Sequence, residues 1–212
     1  MDGSSNIRAA RIGELVGSRI CHDLISPIGA ISNGVELVGL GGGQMDGPEF
    51  DLIAQSVDSA AARIRFLRLS YGSAGHQTVS ARDIRAALAG FSPEGRVQVA
   101  WQRDEGATRS VVRLVFLALQ CLETALAGSG HITVATNERG ANIVAAGENL
   151  RFDKGLWAHL DPAIGVPQEI SAASVQFLLL GQLIEDGAVS AGPIETGPGR
   201  LALRVDTGPA PP

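Results

Sequence analysis

Two long stretches near the start of the chain carry apolar side chains at alternating steps of four and three residues. The first comprises Leu24, Ile28, Ile31, Val35 and Val38, and the second Ile53, Val57, Ala60, Ile64, Leu67 and Tyr71. At about 3.6 residues per turn, each series forms a seam along one face of an α-helix. The pattern predicts a first helix from about residues 4–6, where Ser and Asn are good N-caps, to about Val38. Pro27 lies inside it and is expected to bend it a turn after His22. A second helix is expected to begin at Pro48, with Glu49 and Asp51 in its first turn favouring the positive end of the helix dipole. Residues 39–47, with four glycines in the first five positions, separate the two. No Lys-Ser/Thr follows and no strand precedes, so this run reads as an interhelical turn and not as a phosphate cradle. A hairpin of two helices cannot cover both apolar stripes. Four helices from two chains are the natural solution, which predicts a homodimer.

From Gly72 to Thr78 the composition shifts to Gly, Ser, His and Gln, which places a domain boundary between residues 1–74 and 75–212. Beyond it, short apolar alternations interleave with helical patterns. Helices are expected at residues 80–89, 110–127 and 171–186, and strands at 97–101, 131–137, 142–146, 188–191 and 200–205. Gly197-Pro198-Gly199 reads as a hairpin turn before the last strand, and residues 208–212 as a frayed tail. The expected fold class is α + α/β: a helical hairpin, then a two-layer α/β sandwich with a mixed sheet.

The first helix carries the most suggestive chemistry. His22 lies opposite the Leu24–Val38 seam, and a neutral imidazole exposed on a rigid helix is a nitrogen nucleophile able to accept a group from a large partner. Asp23 is too close in sequence to share its face, yet it is able to orient a ring nitrogen. Offsets of four, seven and eleven residues return Ser18, Ser26, Gly29 and Asn33 to the side of His22, a small and polar surface that another protein can approach closely. Arg19 stands beside them, and Arg63, Arg65 and Arg68 on the second helix form a candidate docking patch for an acidic partner.

His22-Asp23-Leu24-Ile25-Ser26-Pro27 resembles the phosphoacceptor box of histidine kinases: His, acid, apolar, variable, small polar, Pro. More narrowly, the chain is similar to the ChpT-type histidine phosphotransferases of alphaproteobacteria over nearly its whole length, with the box as the specific part. The order and length of the later elements likewise resemble the ATP-binding domain of histidine kinases. Against that resemblance the nucleotide motifs are altered. Gln120 and Thr124 stand where the kinases have two Asn residues, and Thr is a poor replacement for a magnesium-orienting amide. Ala145-Ala146-Gly147 has Ala where the adenine-binding Asp would fall, and Ser171-Ala172-Ala173-Ser174 has lost the phosphate-loop glycines. Pro162, Gly165 and Pro167 make the lid short. The second domain is therefore expected to be a degenerate ATPase-like unit, without a bound cofactor or metal, that supports the bundle and docks partners.

The chain has 212 residues, a formal charge of −5 and two cysteines. The acidic balance argues against a nucleic-acid surface. Cys21 and Cys121 are expected to be buried small hydrophobes, and His76, His131 and His159 are isolated, so neither a disulfide nor a zinc framework is indicated. No apolar run approaches the roughly 20 residues that span a bilayer, and residues 1–10 lack a signal-peptide core, so no membrane association and a cytoplasmic location are expected. Glu123 and Glu148 are expected to be solvated acids.

The resemblance implies phosphoryl transfer. A receiver domain of a hybrid histidine kinase would load His22 from its aspartyl phosphate, and His22 would pass the group to the receivers of CtrA-like and CpdR-like response regulators. The receiver would bring Mg2+ and a Lys, and Asp23 would orient or polarise His22. Two alternatives stay open: a kinase with residual ATP-dependent autophosphorylation, and a non-catalytic dimeric scaffold.

Overall fold

The structure is a computed structural model that describes residues 3–40, 47–92, 95–191 and 194–208. Helix α1 runs Gly3–Leu40 and passes through Pro27 without a break. Because it starts at Gly3, the Ser and Asn expected as caps fall inside its first turns. The glycine run at 41–46 and the tail at 209–212 lie outside the described residues. Helix α2, Pro48–Tyr71, begins as expected with Pro at its first position after Gly47.

The second unit opens with β1 (Thr78–Val79) and α3 (Ala81–Leu88), whose Ser80 cap accepts from the Asp83 amide. Then come β2 (Val97–Trp101), β3 (Ala107–Thr108), α4 (Arg109–Ala125), β4 (Gly130–Thr136), β5 (Gly140–Ala146) and α5 (Lys154–Trp157). Two 3₁₀ turns, Pro162–Ile164 and Ala172–Ser174, lead into α6 (Val175–Glu185), followed by β6 (Val189–Ala191), β7 (Glu195–Gly197) and β8 (Arg200–Thr207). The main sheet has the order β2-β4-β5-β8-β6, with β7 also paired to β8. Strand β2 is parallel to β4, with Val99 opposite Ile132, and the other pairings are antiparallel. Gly199 has φ 63°, the left-handed turn conformation that glycine adopts without strain, and it closes the β7–β8 hairpin. The short β1–β3 pair and the single-turn α5 are elements the sequence pattern did not announce.

One face of the sheet is apolar by strict alternation: Ile132 and Val134, Ile143 and Ala145, then Leu201, Leu203 and Val205 are all buried. Helix α4 lies across this face. Val111, Val112, Leu114 to Leu119, Cys121 and Leu122 are buried on every side of it, as befits a helix enclosed between the sheet, α2 and α6. The core continues without interruption into the hairpin. Phe66, Leu67 and Leu69 of α2 join it, and Phe66 stacks on Phe116 at 4.9 Å and packs against Phe91 at 5.4 Å. Leu15, Val16, Ile20 and Leu24 of α1 pack on the same core, with Arg8–Glu185 and Arg11–Glu169 bridging α1 to the second unit at the surface.

Part of each apolar stripe is uncovered. Ile28 and Val35 on α1, and Val57 and Ile64 on α2, are each about half exposed in the single chain. Cys121 is buried as expected, but Cys21, expected to be buried, is exposed on the surface of α1. Among the described residues, no helix is long and apolar enough to cross a membrane.

Candidate functional site

His22 stands near the middle of α1 with 85 % of its side chain exposed. Asp23, one residue on, is rotated inward and only 8 % exposed. Its Oδ2 accepts from Arg19 Nε at 2.8 Å, an i,i+4 pair on α1, and from Arg63 Nη2, which reaches across from α2. Its other oxygen, Oδ1, lies 3.4 Å from His22 Nδ1. The polar contact to the ring thus falls on Nδ1, and the distal Nε2 is the nitrogen left for a visiting group.

Arg63 is more than an ion-pair partner. It donates through Nη1 to the carbonyls of Gly90 at 2.8 Å and Phe91 at 3.1 Å, and its guanidinium lies 5.5 Å from the Phe66 ring centre. Arg19 donates to the Ala173 carbonyl at 2.7 Å. Burial pushes the Asp23 carboxyl up, but the hydrogen bond and charge of Arg19 and the charge of Arg63 outweigh it, so its pKa lies below the ordinary value.

His22 sits at the rim of a cleft of about 770 Å³ between the hairpin and the second unit. Arg19, Asp23 and Ser26 come from α1 and Ser59 and Arg63 from α2, while Phe91, Ser92, Arg96, Glu123 and Gly128 close the far side. The expected docking residues divide by place. Ser18, Ser26 and Asn33 are exposed, and Gly29 has open space where a Cβ would sit. The arginine patch is not one surface. Arg65 and Arg68 are exposed and open onto a separate groove at the end of α2 with Ser73, His76 and Arg109. Arg63 is buried, contrary to the expectation that it docks a partner, because helical spacing turns it with Phe66 and Leu67 toward α4.

Glu123 corrects a second expectation. It is partly buried in the cleft wall, not a solvated acid like the exposed Glu148. Burial pushes its carboxyl up, and the charges of Arg63 and Arg19 offset this only in part. A carboxyl whose pKa is raised by folding costs stability as pH rises past its unfolded value toward its folded one, since the unfolded chain gives up the proton first. Glu123→Gln is therefore expected to melt higher than the parent at pH 7 and to lose that advantage below about pH 4, where both chains carry a neutral group. Thermal unfolding at the two pH values checks this, and an equal or lower melting point at pH 7 would contradict it. Neither Glu123 nor Arg96 was readable from sequence as part of the site, because both reach it by tertiary contact from elements far along the chain.

The residues that stand at the nucleotide-motif positions are occupied within the fold. Gln120 is buried, accepts from Tyr71 Oη at 2.8 Å and donates to the Phe116 carbonyl. Burial pushes the Tyr71 phenol up to about 12, so it remains that donor at neutral pH. The Thr124 hydroxyl bonds back to the Cys121 carbonyl at 2.6 Å, and Ala145 faces the core of the sheet. Ser171–Ser174 is not an open anion loop. Its Ser171 amide is held by the Ser174 hydroxyl at 3.3 Å, and Arg19 of α1 lies against it.

A long helical hairpin that presents an exposed histidine is thus backed by an α/β layer whose residues at the nucleotide-motif positions are turned to internal contacts. The model of the histidine phosphotransferase C-terminal domain family matches residues 81–190, more than half of the chain, and the chain belongs to that family. A stretch of 69 residues, 32 % of the chain, is 48 % identical to protein phosphotransferase ChpT of Brucella abortus (strain 2308) and spans 32 % of that protein's length. A solved bacterial phosphotransferase structure superposes with a TM-score of 0.71 at 29 % identity, covering 93 % of this chain and 97 % of its own.

Proposed function

We propose that the protein is a histidine phosphotransferase of a multistep phosphorelay and that His22 carries the phosphoryl group. The observation that carries the reading is the free imidazole at the cleft rim, 85 % exposed, with its proximal nitrogen beside Asp23. In the forward step the Nε2 lone pair attacks phosphorus of a receiver's aspartyl phosphate in line, the P–O bond to that aspartate breaks, and the carboxylate leaves. The ring gains positive character with its proton on Nδ1, where the adjacent Asp23 carboxylate balances it. Positioning supplies most of the acceleration, and the charge on the transferred group is met by the Mg2+ and Lys of the receiver, so this chain holds no cofactor of its own. The second receiver takes the group by the reverse step.

The donor is the receiver domain of a hybrid histidine kinase, and the acceptors are receivers of CtrA-like and CpdR-like response regulators in the cytoplasm. Ser18, Ser26, Gly29 and Asn33 form the face on which they dock. Labelled ATP alone should leave the protein unlabelled, whereas a phosphorylated receiver should label it within the lifetime of its own phosphate. Label from ATP alone would make it a kinase, and no label from any receiver would leave a scaffold.

The working form is a homodimer in which a second copy covers the half-exposed stripe of Ile28, Val35, Val57 and Ile64. Val57→Glu places a charge in that seam and is expected to convert the dimer to monomer in sedimentation runs while the second unit stays folded. A parent chain that sediments as a monomer would refute the dimer.

A further inference from the structure

Asp23 is held by the whole molecule and not by its own helix alone. Its Oδ2 is taken by Arg19 and by Arg63, and each arginine is anchored in turn on main-chain carbonyls of the second unit: Gly90 and Phe91 for Arg63, Ala173 for Arg19. These carbonyls sit in tightly held places. The turn after α3 presses so closely on α2 that a Cβ on Gly90 would overlap the Ala62 carbonyl. Phe91 is buried against Phe66, and Ala173 lies in the 3₁₀ turn that leads into α6.

With Oδ2 used up by two guanidinium groups, Oδ1 is the oxygen left to face the ring. A carboxylate paired in this way stays ionised and can only accept, so the ring nitrogen that faces it is favoured to carry the proton. Which imidazole nitrogen bears the proton follows from the partner of the other, and a proton on Nδ1 leaves the lone pair on Nε2.

We infer that the second unit acts on the chemistry as a frame: through Arg63 and Arg19 it fixes the Asp23 carboxylate, and with it the His22 tautomer that exposes a lone pair to the incoming phosphoryl group. Arg63 and Arg19 are positioning residues for His22. The inference rests on the reading of His22 as phosphoacceptor, and it gives the α/β unit a task that needs no nucleotide. The charged groups bordering the ring's surroundings are Arg19 and Asp23 from α1, Arg63 from α2, Arg96 from the segment before β2 and Glu123 from α4.

The test is 15N NMR of the full chain labelled at histidine, recorded at a pH where the ring is neutral and without any receiver present. The parent is expected to show His22 mainly as the Nδ1–H tautomer. Arg63→Met and Arg19→Gln should shift it toward Nε2–H, and Arg63→Lys, which keeps the charge but cannot fork between carboxylate and carbonyls, should fall between. Phosphoryl uptake from a receiver should drop about tenfold in Arg63→Met, as is usual when a partner orienting a reacting imidazole is lost, with receiver binding unchanged. Parent tautomer proportions retained in folded Arg63→Met and Arg19→Gln would overturn the inference. Should Arg63→Met fail to fold, Arg19→Gln and Arg63→Lys decide. Because the tautomer is read without a receiver, a parent that takes no phosphoryl would sink the phosphotransfer reading alone, and the spectra would still decide this one.

Discussion

His22→Ala is expected to take up no phosphoryl group from any phosphorylated receiver, a loss of more than about a thousandfold against the parent, because a missing nucleophile has no substitute within the reacting geometry. The fold should not notice. The ring is 85 % exposed and touches Asp23 at 3.4 Å, so its removal opens no cavity, and Ala is the better helix former. The melting temperature should therefore stay within about 2 °C of the parent, in line with surface substitutions generally. Autoradiography after incubation with a labelled receiver reads the first effect and circular dichroism the second. Label retained in folded His22→Ala would move the acceptor elsewhere, with His76, His131 and His159 the remaining histidines.

Phe66→Ala should have the largest effect on stability. The ring is fully buried, stacked on Phe116 at 4.9 Å, packed against Phe91 at 5.4 Å and covered by the Arg63 guanidinium. Truncating a buried Phe costs about 3–5 kcal/mol, which for a chain of this size lowers the melting temperature by roughly 10 °C. The site has little room to collapse, since its neighbours come from α2, α4 and the turn after α3 and are each fixed by their own element. Denaturant unfolding measures the loss, and a value under about 1 kcal/mol would mean that α2 is not anchored to the sheet unit through this stack. The damage should also extend to chemistry. Arg63 lies over the same ring, so Phe66→Ala loosens the hold on Asp23 while leaving His22 itself untouched.

Much of the fold was legible from periodicity. Helix α4 was expected at residues 110–127 and runs Arg109–Ala125, and the β4, β5 and β8 strands lie where two-residue alternation placed them. The β1–β3 pair and α5 are too short to leave a period. His22 and its small, polar face were readable because helical offsets depend on local sequence alone. The same offsets misled where a neighbour from elsewhere decides exposure. Sequence proximity groups Arg63 with Arg65 and Arg68, but the turn of α2 sends it inward to Asp23 and to the Gly90 and Phe91 carbonyls. The apolar pattern around Cys21 points to the core, yet it is exposed, and Glu123 reads as solvated because acids usually are, yet it is partly buried. The burial of Arg63 and of Glu123 depends on contacts across tens of residues that no period encodes.

The unbroken core from α2 into the sheet has a kinetic consequence. Helix α2 and the sheet share one core, so each protomer offers a single His22 imidazole on one face. On the proposed function, donor and acceptor receivers must then call at a given protomer in succession and not together. Turnover should follow a double-displacement rate law in which a surplus of either receiver, by occupying that face unproductively, slows the traffic through it.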